Sequence, residues 1–317
     1  MGELLDHLCK LNQSDIYPFH MPGHKRRRPE GISLDLFGMD ITEIDGFDNL
    51  HHPTGILKET QEGAAELYGV LQTFFLVNGS TCGIQAAISA SVRAGKKLLL
   101  ARNCHKSVYN TCLLRSIDTT YVYPVRTQME EVLGEIRAED VKAALDADAD
   151  IDAVIITSPN YDGVISDVER IADVVHEKGK LLIVDEAHGA HLPFADDFPK
   201  SAIRCGADIV IQSLHKTLPA PTQTALLHVA SSRVDTAGLR EFLAIYQTSS
   251  PSYVFMAAMQ HCIEATYAHR KEWFETLSGR LDGLAAACAD LHSLKLFSGF
   301  GQKPPGMYAH DKSKILI

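Results

Sequence analysis

The residue best suited to chemistry is a single lysine that follows an apolar strand. Residues Asp208 to Gln212 have the pattern of a buried strand, and Ser213-Leu214-His215-Lys216-Thr217 is the polar turn after it. Open α/β sheets bind ligands at the carboxyl ends of their strands, and lysine is the side chain that forms Schiff bases with carbonyl groups. Such a turn is also typical of an ordinary surface loop, so its meaning depends on the rest of the chain.

Three further positions offer polar groups directly after predicted strands. Asn78-Gly79-Ser80-Thr81 leads into a helix, and backbone N–H groups with two hydroxyls suit a phosphate as well as an ordinary N-cap. Asp185 ends an apolar strand, and a buried carboxylate needs either a structural cation or a group such as a protonated pyridine nitrogen. His105 follows another strand, where it can stack on a planar ring or cap a helix.

A metal site is the competing interpretation of Asp185-Glu186-Ala187-His188-Gly189-Ala190-His191. The two histidines and the acids fit such a site loosely, but Gly189 interrupts a helix and no third set of ligands is visible, so we predict no metal. Taken together, these residues fit pyridoxal 5'-phosphate. The lysine suits its aldehyde, the hydroxyls its phosphate, the aspartate its ring nitrogen and the histidine its ring face.

Continuous apolar strands alternate with helices from residue 73 onward, which predicts a mostly parallel α/β sheet sandwiched by helices. The polar turns would then meet at one edge of the sheet. We further expect a short helix over residues 3–11, helices over 234–290, a strand start at 294–297 and a strand-like segment at 314–317.

Composition excludes several classes of protein. The chain has 317 residues and a formal net charge of -10, which is unlike the basic surface of a nucleic-acid-binding protein. No apolar run reaches the ~18 residues that a membrane span needs, and the N-terminus lacks a signal-peptide pattern. The seven cysteines form no C-x-x-C pair, which favours reduced thiols and a cytoplasmic location.

Several stretches, in order over about residues 17 to 255, resemble the Orn/Lys/Arg decarboxylases. These stretches are Pro18 to Lys25, Asp45-Gly46 through His51-His52-Pro53 with Gly55, Phe75 to Thr81, Arg102 to Ser107, Ser158 to Gly163, Asp185 to His191, Ser213 to Lys216 and Gln247 to Tyr253. The resemblance implies the aspartate-aminotransferase-like fold, the fold-type-I major domain of pyridoxal-phosphate enzymes. It implies three regions: an N-terminal arm with active-site loops (1–60), the cofactor-binding major domain (61–255), and a helical segment with the truncated start of a C-terminal region (256–317).

The resemblance also implies roles for particular residues. Lys216 would form the Schiff base, Asp185 would pair with the pyridine nitrogen, and His105 would stack on the ring. The catalytic group is then Lys216, Asp185, His105 and His188, and His188 borders the ring and the substrate carboxylate. The cofactor-binding residues are Ser80, Thr81, His105, Asp185, Ala187, His188, Ser213, His215, Lys216, Thr248 and Ser249. Of these, Thr248 and Ser249 would reach the phosphate of a neighbouring subunit, which implies a homodimer or a higher even oligomer.

The implied reaction is decarboxylation of arginine, lysine or ornithine to the amine and CO2. The distal cation of such a substrate needs an acid, for which the candidates are Glu43, Asp45, Asp48 and Asp162. Relatives carry a further C-terminal domain, of which this chain would have only a stub. In addition, Arg26-Arg27-Arg28 follows the Gly23-His24-Lys25 loop, where the family usually has small residues that include glycine. The alternatives are a truncated cofactor-binding homologue without turnover and another pyridoxal-phosphate reaction on the same scaffold.

Overall fold

The computed structural model describes residues 13–17, 19, 22–25, 27, 38–127, 132–291, 293, 296 and 305–317. Its centre is a seven-stranded sheet in the order β1-β8-β7-β6-β4-β2-β3. The strands of the large sheet are β1 Gln72–Leu76, β2 Lys97–Ala101, β3 Asp118–Val122, β4 Ile151–Thr157, β6 Leu181–Asp185, β7 Ile209–Gln212 and β8 Ala225–Val229. A second, two-stranded sheet pairs β5 Val164–Ile165 with β9 Ala309–His310.

Helices cover the large sheet and connect its strands. The helices are α1 Ile56–Tyr68, α2 Gly79–Ser91, α3 Lys106–Arg115, α4 Ala138–Ala147, α5 Val168–Glu177, α6 Leu214–Thr217, α7 Thr236–Tyr246 and α8 Tyr253–Cys288. Short 3-10 helices span Leu192–Phe194 and Ala202–Cys205. The strands are apolar because both faces of the sheet are covered: every residue of β7 and β8 is buried.

Strand directions place the polar turns together. β2, β3, β4, β6 and β7 are parallel, whereas β8 is antiparallel to both β1 and β7, so β1 runs in the same direction as β7. The carboxyl ends of β1, β2, β4, β6 and β7 therefore lie at one edge of the sheet. The predicted fold, a mostly parallel sheet sandwiched by helices in the fold-type-I arrangement, is confirmed.

The C-terminal segment 305–317 adds a strand that differs from the expected one. The strand is β9, which pairs with β5 through Val164↔His310 and Ile165↔Ala309, rather than residues 314–317. Asp311 explains the difference, because its side chain accepts hydrogen bonds from the backbone N–H and hydroxyl of Ser313 and turns the chain there. Asp311 N–H also donates to the Gly163 carbonyl at 2.8 Å, which holds the segment against the loop before β5.

The predicted domain boundaries stay predictions. Residue 60 lies inside α1 and residue 255 lies inside α8. The helix expected over 3–11 and, apart from Leu296, the strand start expected at 294–297 lie outside the described residues. No helix in the described part of the chain is long and apolar enough to cross a membrane.

Candidate active site

Lys216 lies in α6, the single turn of helix that follows β7. Its Nζ is 3.1 Å from Nε2 of His188, which comes from the loop after β6. Burial lowers the pKa of Lys216, while the nearby carboxylate of Asp185 opposes that shift. A half-buried lysine with a lowered pKa is a better nucleophile toward an aldehyde than a surface lysine, because more of it is the neutral amine.

Asp185 is the last residue of β6 and is only 2% exposed. Its Oδ1 accepts a hydrogen bond from the Ala187 N–H at 3.1 Å. Burial raises the pKa of Asp185, and Lys216, the Ala187 amide and His105 act against that rise. The carboxylate thus lies at the sheet edge beside two cationic or potentially cationic groups, where a protonated ring nitrogen would also be stabilised.

His188 lies between two lysines. Its Nε2 is 3.1 Å from Lys216 Nζ, and its Nδ1 is 3.2 Å from Nζ of Lys314, which comes from the C-terminal segment. Burial, Lys216 and Lys314 lower the pKa of His188 to about 2, so the ring is neutral at physiological pH. Sequence reasoning missed Lys314, because nothing in its local pattern distinguishes it from the neighbouring Lys312.

His105 is the N-cap of α3. Its Nδ1 lies 2.9 Å from Ser107 Oγ and accepts from the Ser107 N–H at 3.3 Å, so the capping interpretation is correct. Burial lowers the pKa of His105, and the charges on Asp185 and Lys216 also act on it, in opposite directions. Capping uses the Nδ1 edge and leaves the ring face for stacking, which stays a prediction.

The start of α2 has the features of a phosphate site. Gly79 is its first residue, so Ser80 and Thr81 lie in its first turn, and the N-cap Asn78 makes no side-chain capping bond. The Asn78 Oδ1 instead accepts from the Thr248 N–H at 3.2 Å. Uncapped N–H groups at the positive end of a 13-residue helix favour an anion.

Ser213 and His215 belong to the turn that carries Lys216. Ser213 is 0% exposed, and its Oγ has no hydrogen-bond partner among the described residues. His215 donates through Nδ1 to the Thr224 carbonyl at 2.9 Å, since a carbonyl can only accept. In a neutral ring the other nitrogen then carries a lone pair, so His215 suits a phosphate only as the imidazolium.

Thr248 and Ser249 are exposed. Thr248 lies beside Asn78, the N-cap of α2 in the same chain. The Thr248 carbonyl accepts from His51 Nε2 at 2.8 Å, in addition to the Thr248 N–H bond to Asn78. Contact of these two residues with the phosphate of a second subunit stays a prediction.

The N-terminal loop packs directly on the lysine turn. Gly23 N–H donates to the His215 carbonyl at 2.7 Å. A Cβ at position 23 would lie 2.7 Å from the Leu218 carbonyl oxygen, so only glycine permits this approach. The Gly23-His24-Lys25 part of the loop is therefore part of the site. Arg26 and Arg28, which belong to the arginine run after this loop, lie outside the described residues.

A buried polar network supports the strand end that carries Asp185. Glu186, 1% exposed, accepts hydrogen bonds from Ser201 Oγ at 2.6 Å, the Ala202 N–H at 2.7 Å and Gln212 Nε2 at 2.6 Å. Burial nevertheless raises the pKa of Glu186 to about 7. The bond to Gln212 joins the end of β7 to the residue after β6 and so fixes the lysine turn relative to Asp185.

The four acids considered for a substrate cation differ in their surroundings. Asp48 accepts backbone N–H bonds from Thr54, Gly55 and Leu57 and is thereby committed to the start of α1. Burial raises the pKa of Asp48, but backbone bonds such as those from Thr54 and Gly55 outweigh it and lower the pKa to about 2. Asp162 lies next to the site, because its backbone carbonyl accepts from His310 Nε2 at 2.8 Å and the ring of the preceding Tyr161 lies 5.6 Å from that of His188. Burial raises the pKa of Asp162, and His310 and Lys314 act against that rise. Glu43 and Asp45 are exposed.

The histidine-acid stretch has a structural role at its far end. His191 is buried, and its Nε2 lies 3.2 Å from Oδ2 of the buried Asp311, at ion-pair distance. Within the described residues, no group of three or more His, Cys, Asp or Glu side chains is placed to hold a metal ion.

The residues present fit pyridoxal phosphate. Lys216 offers a depressed-pKa amine, Asp185 offers a buried carboxylate, and Ser213 Oγ is a buried polar atom that lacks a partner among the described residues. An orphaned buried hydroxyl is costly in a folded protein unless a ligand satisfies it. Together with the uncapped start of α2, this set matches an aldehyde, a ring nitrogen and a phosphate on one molecule.

Comparison with known proteins gives consistent matches. Residues 3–282 match the family described as Orn/Lys/Arg decarboxylase, major domain. The chain is 39% identical over 294 residues to the uncharacterized protein YaaO of Bacillus subtilis, covering 88% of this chain and 61% of that protein. It is 32% identical over 316 residues to the arginine decarboxylase of Bacillus anthracis, covering 98% of this chain and 64% of that enzyme.

A solved structure shows the same fold. Lysine decarboxylase A from Pseudomonas aeruginosa superposes with a TM-score of 0.69 at 23% identity, covering 94% of this chain and 45% of that one. The chain thus spans 61% and 64% of the length of the two Bacillus proteins and 45% of that of the Pseudomonas enzyme.

Proposed function

The chain belongs to the Orn/Lys/Arg decarboxylase family, and we propose that it binds pyridoxal 5'-phosphate through Lys216 and decarboxylates arginine, lysine or ornithine. The products are the corresponding amine and CO2. The observation that carries the proposal is the pairing, at one sheet edge, of the buried Asp185 carboxylate with the half-buried Lys216.

The cofactor, when bound, supplies an electron sink for the carbanion that CO2 leaves behind. Asp185 is the group that keeps a proton on the ring nitrogen, because its buried carboxylate is stabilised only while a positive partner lies beside it. The hydroxyls of Ser80, Thr81 and Ser213 and the first N–H groups of α2 orient the phosphate.

Lys216 would hold the aldehyde of the cofactor and would also carry a proton. Burial lowers its pKa, which favours the neutral amine that such a bond requires. When Lys216 is not bonded to the cofactor, its Nζ would be placed to return a proton to the substrate α-carbon. His188, 3.1 Å from that Nζ, borders the space that the substrate carboxylate would occupy.

Asp162 is the acid we propose for the distal cation of the substrate. It lies beside Lys314 and His310 at the site, whereas Asp48 is committed to backbone N–H groups. Burial raises the pKa of Asp162 although His310 and Lys314 act against that rise, so a guanidinium or ammonium group of the substrate would stabilise its carboxylate further.

We also propose a homodimer located in the cytoplasm. A cleft of about 310 Å³ between residues 38–47, α1 and α8 is lined by apolar side chains, of which Phe47 is 44% and Ile56 is 51% exposed. Exposed apolar clefts of this kind mark contact surfaces. A second subunit packed here would bury Phe47 and Ile56.

The decisive assay supplies arginine, lysine and ornithine separately to the purified chain with pyridoxal phosphate. We expect CO2 and the matching amine from at least one of them, and neither product from Lys216→Ala. A cofactor absorption band without CO2 from any of the three would favour the non-turnover alternative. Transfer of the amino group to a keto acid would favour a different pyridoxal-phosphate reaction.

A further inference from the structure

One imidazole ring is contacted by a lysine at each of its nitrogens. Lys216 Nζ lies 3.1 Å from His188 Nε2, and Lys314 Nζ lies 3.2 Å from His188 Nδ1. A neutral imidazole has one N–H and one lone pair, and an ammonium group can only donate. If both distances are hydrogen bonds, one lysine is an ammonium that donates to the ring and the other is an amine that accepts from it.

We propose that Lys314 exchanges a proton with Lys216 through the His188 ring. In the forward direction, the Lys216 ammonium gives a proton to Nε2 while Nδ1–H gives its proton to the Lys314 amine. The products are the Lys216 amine, the Nε2–H tautomer of His188 and the Lys314 ammonium, so one proton moves and the total charge is unchanged. The inference rests on the proposed role of Lys216 as the Schiff-base lysine, which must lose and regain a proton in each cycle.

The chain positions Lys314 for this contact. Its side-chain stem passes over Gly163, where an added Cβ would lie 2.7 Å from Lys314 Cγ and 2.8 Å from its Cβ. The φ of Gly163 is +90°, which also favours glycine. The β5–β9 pairing and the Asp311 N–H bond to the Gly163 carbonyl hold the backbone on either side of this crossing.

The electrostatic surroundings favour a single shared proton. Burial lowers the pKa of Lys216 and that of Lys314, and the charge on Lys216 lowers the pKa of Lys314 further. The other charged or titratable groups that act on this trio are Asp185, Asp311, Asp162, Lys25 and His105. Two ammonium groups on opposite sides of one ring repel each other, so the state with one ammonium is preferred. Lys314 contacts His188 and not the reacting group itself, and is therefore a positioning residue for the proton of Lys216.

The test reads the tautomer of His188 directly. The full chain, labelled with ¹⁵N-histidine and purified before cofactor is added, is followed by NMR of the ring nitrogens as a function of pH, with His188→Gln used to assign the signal. In the unmodified chain, we expect the hydrogen of the neutral ring to move between Nδ1 and Nε2 as the pH changes the protonation of the two lysines. The signals of both ring nitrogens should therefore change with pH.

Lys314→Arg is the informative variant, because a guanidinium keeps the positive charge and the donor but cannot give up its proton. We expect His188 in this variant to stay in the Nε2–H form at every pH. Ring-nitrogen signals with the pH dependence of the unmodified chain would show that Lys314 is merely structural and would overturn the proposal.

Lys314→Met removes the second proton carrier. We expect the rate of Schiff-base formation with pyridoxal phosphate at neutral pH to fall about tenfold, as for a rise of about one unit in the pKa of Lys216, and to recover at higher pH. Lys312→Met is the matched control, since Lys312 lies in the same segment with its Nζ 4.8 Å from the Phe198 ring centroid. An unchanged rate profile in Lys314→Met, or the same shift in Lys312→Met, would contradict the relay.

Failure of the relay and failure of the proposed reaction are separable. The NMR signal requires neither cofactor nor substrate, and Schiff-base formation requires no turnover. A chain that releases no CO2 but shows the fixed tautomer in Lys314→Arg would retain the relay and lose the decarboxylase assignment. A chain that releases CO2 but shows an unaltered His188 signal in Lys314→Arg would retain the decarboxylase assignment and lose the relay.

Discussion

At the scale of single residues, the site depends on a carboxylate that is held where water cannot reach it. Asp185 is 2% exposed and receives a hydrogen bond from its own loop through Ala187. An amide of the same shape cannot ionise, so it cannot hold a proton on a neighbouring ring nitrogen. The role of Asp185 is therefore electrostatic and is separable from its role in packing.

Asp185→Asn should accordingly still bind pyridoxal phosphate and lose about 100-fold or more in turnover. The cofactor absorption band measures the first property and CO2 release measures the second. Asp152→Asn is the matched control, because Asp152 is also a buried strand aspartate but pairs with Arg93 away from the site. Full turnover in Asp185→Asn would refute the electrostatic role.

At the scale of elements, α1 begins with a cap supplied from a distance. Its N-cap is Gly55, which has no side chain, and the orphan N–H groups of Gly55 and Leu57 are satisfied by the Asp48 carboxylate. Asp48 has a φ of +67°, in the left-handed region that aspartate and asparagine tolerate better than alanine. The cap also fixes the loop between Asp48 and α1, because the same carboxylate accepts from Thr54.

Asp48→Ala should therefore lower the free energy of unfolding by about 2 kcal/mol, from the lost cap and the backbone conformation together. Asp48→Asn, which keeps the backbone preference and one acceptor oxygen, should lose less. Urea unfolding midpoints of the two variants measure the difference. Equal midpoints for Asp48→Ala and the unmodified chain would show that α1 needs no such cap.

Some elements of the fold and the site could be predicted from the sequence, and others could not. The strands that end at Asp185 and Gln212 were predictable, because a fully covered sheet demands unbroken apolar runs and the polar turns after them are conspicuous. Lys314 and the β5–β9 pairing were not predictable, since both depend on a contact between distant parts of the chain that leaves no local period. The same reason hid the Glu186–Gln212 bond, which joins two residues that each read as ordinary strand-end polar groups.

At the scale of the whole molecule, the apolar cleft beside α1 and α8 predicts how subunits meet. Ile56→Arg introduces a charge into the cleft, and burying it without a partner would oppose association. Sedimentation should show a dimer for the unmodified chain and a shift toward monomer for Ile56→Arg. Leu114→Arg is the control, because Leu114 is 68% exposed on α3 and does not line the cleft. A monomer in the unmodified chain would disprove the homodimer.

The position of Lys314 in the chain has a consequence for the order in which the site is made. Lys314 comes 98 residues after Lys216, and β6 with Asp185 and α6 with Lys216 both precede the long helix α8 and the segment 305–317. At ribosomal rates of about 5–20 residues per second, roughly 5 to 20 seconds separate the synthesis of the two lysines. A nascent chain therefore contains Lys216, Asp185 and His188 well before it contains the second neighbour of His188, so the proton exchange that we propose through that ring becomes possible only once the last segment has been made.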